Sequence, residues 1–365
     1  MTSFRPGGTE YQMTELVRRL PPDRWRVHVA CFHRDGAWLS RLDGHTASIV
    51  EFGLRSFKRG RTLTEMRRFA RWCRAERIDV VHASDLYANV FALPAAAAAR
   101  VPLRIGSRRE LNPDKTPGLL ALQRIAYGCA HRVLANSEAA AARLRAERVP
   151  DRRIVVVPNG LDLTRFTGVA SSDAATLVTV ANLRPEKGHG VLLRALAAIL
   201  SHAPEVRLRL VGDGPERERL TALARALGVS HAVEFLGHRE DVPSLLASSG
   251  IAVVPSLSEA FPNAALEAMA AGLPVVASAT GGLTEIVSDG RAGLLVPPDD
   301  VAALAAALDR LLHDPALRRR MGTAGRASVE AHYSFERMIA SVEALYASGL
   351  PADGPAGAPV RVAVS

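Results

Sequence analysis

Short apolar runs alternate with longer amphipathic stretches along almost the whole chain of 365 residues. The runs predict strands at Trp25–Phe32, Ala47–Val50, Asp79–His82, Leu103–Ser107, Arg132–Ala135 and Ile154–Val157. A second series follows at Leu177–Ala181, Arg207–Val211, Val233–Leu236, Ile251–Val254, Pro274–Ala277 and Gly293–Val296. Helical periodicity fills most of the intervals. Strands that are apolar throughout and separated by helices belong to parallel sheets covered on both faces. The expected fold is therefore α/β, with two Rossmann-like doubly wound domains.

Small residues at Thr167–Ser172, just after the Asn159-Gly160 turn signal, mark the expected break. The expected domains are residues 1–166 and 173–330. A helix over 331–348 should cross back to the first domain, leaving a disordered Pro-, Gly- and Ala-rich tail at 349–365. One feature is out of pattern. A doubly wound sheet opens on a strand that leads into a glycine turn and a helix. Here the turn Pro6-Gly7-Gly8 comes almost at once, with only Met1–Phe4 before it. The first strand of the N-terminal domain looks missing, which suggests an upstream start or a fragment, because losing a central strand orphans backbone groups inside the sheet.

Composition narrows the function. No apolar stretch is long enough to span a bilayer, and the first residues lack the apolar segment of a signal peptide. Cys31, Cys73 and Cys129 have no disulfide or metal-like spacing. A cytoplasmic protein, free or peripheral on the inner face of a membrane, is the expectation. The net charge is +9, and it gathers in the first half, which suits an anionic acceptor or membrane surface. Residues 55–77 read RSFKRGRTLTEMRRFARWCRAER. Leu63, Met66, Phe69, Ala70 and Cys73 share one helical face there and arginines line the others, as on a membrane-surface helix or a core helix with a solvated basic face. Aromatic residues are 5% of the chain and are not interleaved with basic ones, so nucleic acid is not an expected partner.

Candidate chemistry concentrates in Pro255–Ala279. After strand Ile251–Val254 comes a loop with Ser256, Ser258 and Glu259. Phe261, Pro262 and Asn263 then open a nearly all-apolar helix that nonetheless carries Glu267. A carboxylate in such a helix needs a partner or a ligand. Two carboxylates at the carboxyl edge of a sheet suit a polyhydroxylated ligand. The loop Asn182-Leu183-Arg184-Pro185-Glu186-Lys187-Gly188 puts two cations before a helix, where a diphosphate can be held. Lys187 is one of three lysines in a chain that otherwise uses Arg. Gly212, Gly214, Gly281 and Gly282, and Gly7-Gly8 in the first half, sit in turns after strands where backbone amides can approach phosphate. His82 ends its strand, where it can orient a substrate or shuttle a proton. Arg108 and Arg109 are candidate acceptor contacts. No Asp-x-Asp pair, Walker loop or other metal signature occurs, so no metal or resident cofactor is expected.

Taken together, Gly-Gly-Thr-Glu at Gly7–Glu10, Val-Val-His at Val80–His82, Val-Pro-Asn-Gly-Leu-Asp at Val157–Asp162 and Arg-Pro-Glu-Lys-Gly at Arg184–Gly188 resemble glycosyltransferase family 4. So do Val-Gly-Asp-Gly-Pro at Val211–Pro215, Leu-Gly-His-Arg-Glu-Asp-Val at Leu236–Val242 and the Glu-x7-Glu pair Glu259/Glu267. The resemblance implies the GT-B fold, with two domains facing a cleft. It also implies metal-independent, retaining transfer from a UDP- or GDP-sugar to a hydroxyl of a lipid-linked, polysaccharide or small-molecule acceptor. Glu259 would contact the transferred sugar and Glu267 the ribose. Lys187 and Arg184 would hold the diphosphate, with Asn182 standing where many members carry an Arg. The base would lie near Gly237 and Arg239, and His82 near the reacting sugar. Rival readings are a nucleotide-sugar epimerase or phosphorylase, and an inactive binding or scaffold homologue.

Overall fold

The computed structural model describes residues 1–54, 60–111, 116–166, 175–350 and 359–365. The chain forms two compact units, Met1–Gly160 with Phe335–Ser365, and Leu161–Ser334. The expected break at Thr167–Ser172 lies outside the described residues. The polypeptide leaves the first unit at Gly160 and returns at Phe335, so the helix Phe335–Ser348 belongs to the first unit. Residues 331 and 332 instead end the preceding helix Pro315–His332 of the second unit.

Thirteen strands occur among the described residues: β1 Trp25–Cys31, β2 Ser48–Glu51, β3 Val80–His82, β4 Leu103–Arg108, β5 Arg132–Ala135, β6 Ile154–Val156, β7 Thr176–Val180, β8 Arg207–Val211, β9 Val233–Gly237, β10 Ile251–Val254, β11 Val275–Ser278, β12 Gly293–Val296 and β13 Val360–Val364. The first sheet runs β2-β1-β13-β3-β4-β5-β6 and the second β12-β11-β10-β7-β8-β9. Every named pairing is parallel. All-parallel strands need apolar cover on both faces, which is why Val253, Val276 and Leu208 are fully buried.

The slot that looked empty in the first sheet is filled from the far end of the chain. Val360–Val364 lies between β1 and β3, pairing Trp25 with Val360 and Val80 with Val362. The expectation of a disordered tail is thus wrong for this segment, while residues 351–358 lie outside the described ones. Its Val-Arg-Val-Ala-Val alternation explains the outcome. Val362 and Val364 enter the cluster around Trp25 and Tyr346, and Ala363 enters the opposite cluster around Phe52, Phe69 and Phe91.

The latter cluster is aromatic. Phe91 makes edge-on or tilted contacts with Phe32, Phe52 and Phe69, with ring centroids 5.2–5.9 Å apart. Phe69 and Cys73 anchor the helix Arg61–Ala75 there, while Leu63 on the same helix is 53% exposed. The apolar stripe read in residues 55–77 therefore faces the core at Phe69, Ala70 and Cys73 but not at Leu63, and residues 55–59 lie outside the described set. Truncation of Phe91 to Ala should cost about 3–5 kcal/mol. Tryptophan fluorescence should record the whole loss, because Trp25, Trp38 and Trp72 all lie in the first unit. An unchanged denaturation midpoint would show that this cluster does not hold the unit.

Candidate active site

The second unit gathers four loops at the carboxyl edge of its sheet. The chain runs from β7 outward to β9, then returns to place β10 on the other side of β7. Such a reversal leaves a crevice between the loops that follow the two central strands, the usual ligand position in open α/β sheets.

Backbone contacts knit these loops together. The Leu257 amide donates to Glu186 O at 2.8 Å, and the Leu183 amide to Asp213 O at 3.0 Å. The Gly282 amide donates to Glu259 O at 3.1 Å. Two glycines permit this approach. Gly188 has φ +68°, and a Cβ there would stand 1.9 Å from Pro255 O. Gly281 has φ +50°, with 1.8 Å to Glu259 O. Neither the left-handed backbone nor the spacing admits a side chain.

Lys187 and Glu259 meet inside this arrangement. Lys187 Nζ donates to Glu259 Oε2 at 2.6 Å, and Ser256 Oγ donates to the same oxygen at 3.3 Å. Both charged side chains are mostly enclosed, at 24% and 12% exposure. A cation from the loop after β7 is thus joined to an anion from the loop after β10, across the reversal point. The helix His189–Leu200 starts immediately beyond Lys187, so its positive dipole end faces the same edge.

Glu267 sits on the helix Asn263–Ala270. Desolvation pushes its carboxyl up to about 7, with the Arg165 charge pulling the other way. Phe261 and Pro262, at the start of that helix, are buried, and Phe261 packs edge-on against Tyr333 with centroids 6.1 Å apart. Asn182 is exposed. Arg184 is 59% exposed and lies 4.0 Å from Glu186. Arg239 follows the edge strand β9 and forms a two-pronged exposed pair with Asp241, at 2.8 and 2.6 Å.

Sequence reasoning missed His189. It is 2% exposed, and neither ring nitrogen has a hydrogen-bond partner among the described residues. Burial, reinforced by the Lys187 charge, lowers its pKa to about 4, so the ring is neutral. Its place directly after Lys187-Gly188 was the available signal.

The first unit departs further from expectation. His82 is 0% exposed. Its Nδ1 is 2.8 Å from Tyr346 Oη and its Nε2 2.8 Å from Ser107 Oγ. Desolvation lowers its pKa to about 3. The imidazole is enclosed, with both ring nitrogens engaged inside the first unit, and does not stand open at the strand end as the sequence suggested. Arg108 turns beneath the sheet edge, where it donates to Gln123 and Glu147 at 1% exposure, so it is not a surface acceptor contact. Its neighbour Arg109 stays at the edge and donates to Asn159 Oδ1 at 2.9 Å. Burial lowers the Arg109 pKa to about 10. Gly8 opens the helix Gly8–Arg19. Among the described residues there is no His, Cys, Asp and Glu group suited to a metal ion, and no helix long and apolar enough to cross a membrane.

Two doubly wound units, one with a cation and carboxylates at its reversal point, define the GT-B class of glycosyltransferases. Residues 162–328 match the family model for glycosyl transferases group 1, and residues 6–165 that for glycosyltransferase family 4. Each half of the chain thus matches a glycosyltransferase family model. Among curated relatives, a D-inositol 3-phosphate glycosyltransferase of Geodermatophilus obscurus is 38% identical over 240 residues, 60% of this chain and 52% of that one. Another, of Streptomyces bingchenggensis, is 31% identical over 304 residues, 76% and 64% of the two chains. In the first of these matches, the chain spans about half the relative's length. The solved structure of Anabaena HepE in complex with UDP and glucose superposes with a TM-score of 0.83, covering 95% of this chain and 98% of that one at 24% identity, a likeness of fold.

The position of Glu267 yields a pH prediction. A carboxyl whose folded pKa lies above its unfolded value weakens the fold as pH rises from about 4.5 to about 7, and the penalty persists above that. Glu267→Gln should match wild-type stability at pH 4 and exceed it by roughly 1–3 kcal/mol at pH 8. Equal denaturant midpoints at both pH values would refute the desolvated setting.

Proposed function

We propose that the protein moves a sugar from a UDP- or GDP-sugar to an acceptor hydroxyl, with retention of anomeric configuration and without a resident metal. The observation that carries this reading is the 2.6 Å pairing of Lys187 with Glu259 at the reversal point of the second sheet. In the donor complex the diphosphate takes Lys187. Glu259 is then released to accept hydrogen bonds from hydroxyls of the transferred sugar, and Ser256 steadies it. Glu267 accepts from the ribose hydroxyls. The amides around Gly281 and Gly282 and the start of the helix His189–Leu200 approach the phosphates.

Charge builds on the leaving diphosphate as the glycosidic bond breaks. The Lys187 ammonium, the helix dipole and the exposed Arg184 guanidinium oppose that charge, and neutral His189 adds no competing cation or anion. Phosphate chemistry of this kind needs positioned positive charge, which these groups supply from the protein itself. Retention follows if the acceptor hydroxyl attacks from the face that the diphosphate vacates, the bond from sugar to diphosphate breaking as the new one forms and the hydroxyl proton passing to the departing phosphate oxygen.

For the acceptor, Arg109 offers a guanidinium at the edge of the first sheet, anchored by Asn159. A phosphorylated polyol or lipid-linked phosphate fits that charge, in keeping with the inositol phosphate in the relatives' name. The arginine-rich outer face of the helix Arg61–Ala75 would bring this half to an anionic membrane surface.

Lys187→Ala should lower turnover with the matching nucleotide sugar about 10²–10³-fold, with the tryptophan-reported stability of the first unit unchanged. Rapid-quench assays over a panel of UDP- and GDP-sugars would measure this, and undiminished turnover would remove Lys187 from the diphosphate.

A further inference from the structure

The strand β13 occupies an unusual place. The chain leaves the first sheet's centre in two directions, through β1 and β2 on one side and β3 to β6 on the other. The strand between these two halves is contributed by the last described residues. Both of its backbone edges are engaged. On one side it pairs from Trp25↔Val360 to Val29↔Val364, and on the other from Val362↔Val80 to Val364↔His82. Beyond the ladders, the Val360 amide donates to Arg24 O at 2.9 Å, the Asp79 amide to Arg361 O at 2.9 Å, and the Ser365 amide to His82 O at 2.9 Å. Val362, Ala363 and Val364 are 0% exposed.

Residues from the other end of the chain continue the same track. The Phe32 amide donates to Met1 O at 3.1 Å, and the His33 amide to Thr2 O at 3.1 Å, directly past the end of β1. Two remote segments therefore lie on one line of the sheet. The carboxyl end of this line shapes the first unit's edge. The Ser84 amide donates to Ser365 O at 2.7 Å, and Thr2 Oγ1 to Asp85 Oδ2 at 3.0 Å. Asp85 in turn caps the helix Leu86–Ala98 through the Ala88 amide.

Without β13 the sheet is two pieces, β2-β1 and β3-β4-β5-β6, each with an unpaired inner edge. Two paired strands alone are not independently stable in water, and buried unpaired backbone groups are strongly disfavoured. The second unit has no such dependence, since Leu161–Ser334 is one continuous segment.

We infer that β13 is a detachable strand complement that closes the first unit: its slot between β1 and β3 binds an extended Val-x-Val-Ala-Val segment, and the first unit's sheet and edge loops assemble only when this segment docks. The second unit folds as soon as its own continuous segment is available, whereas the first waits for residues that follow it. This inference is independent of the donor and acceptor roles assigned above, and its readouts involve neither ligand.

The test uses the full chain with a specific protease site substituted within residues 351–358. Tryptophan emission reports the first unit, and far-ultraviolet circular dichroism reports both. After cutting, the piece bearing residues 359–365 should co-elute with the remainder on size exclusion. It should exchange with a labelled synthetic copy in excess, with the tryptophan transition retained. In the uncut chain, Val362→Asp should lower the tryptophan transition by roughly 10 °C or more and leave a second dichroism transition in place. The inference is overturned if the cut piece departs while the tryptophan transition stays put. It is equally overturned if Val362→Asp melts like the wild type, or if both units melt together in that variant. Should Val362→Asp not accumulate, the cut chain alone decides.

Discussion

The contact between Lys187 and Glu259 ties the site to the fold. Opposite charges at 2.6 Å and mostly out of water attract strongly, yet each has lost hydration that the other, with Ser256 beside Glu259, replaces in part. Such a pair is a reserve of unsatisfied binding capacity. A diphosphate offers Lys187 more charge than one carboxylate does, and a sugar offers Glu259 several donors. The geometry needed to hold the pair comes from the sheet. β7 and β10 lie side by side only because the chain reverses there, and Gly188 and Gly281 let the loops approach within reach.

The same logic explains the neighbours. Glu267, raised by burial, is poised to ionise near neutral pH, and in the proposed donor complex a ribose diol would give it the donors that its helix lacks. Neutral His189 sits behind Lys187 without adding charge. In the first unit the priority is different. His82 is bonded to Tyr346 of the returning helix Phe335–Ser348 and to Ser107 of β4, so it links two distant segments of the chain. Beside it, β13 fills the centre of the sheet. The first unit is therefore held by its own far end, while the second is self-contained.

Much of this was legible in the sequence. Ile251–Val254, Arg207–Val211 and Gly293–Val296 stand where their apolar runs placed them, because buried parallel strands carry an unmistakable continuous hydrophobic signal. Lys187 and Glu259 were both readable as loop residues after strands, and their meeting followed from sheet order. What failed had physical reasons. Val360–Val364 follows a Pro-, Gly- and Ala-rich run and is short, so composition outweighed an alternation that only a vacant slot could interpret. Arg108 and Arg109 look alike in sequence, but Arg108 is the last residue of β4 and reaches down to Glu147, whereas Arg109 lies just past the strand and reaches Asn159. His82 carried no local mark of Tyr346, its partner from the far end of the chain.

The most direct measurement is calorimetric binding of UDP and UDP-glucose, or their GDP counterparts, to wild-type protein and to Glu259→Gln. In the proposed donor complex Glu259 gives up Lys187 to the diphosphate and turns to the sugar. The variant should therefore bind the free nucleoside diphosphate at least as tightly as wild type does, and should lose the extra affinity that the sugar confers. If Glu259→Gln weakens both ligands equally, or neither, the carboxylate does not exchange the lysine for the sugar and the account of this site is wrong.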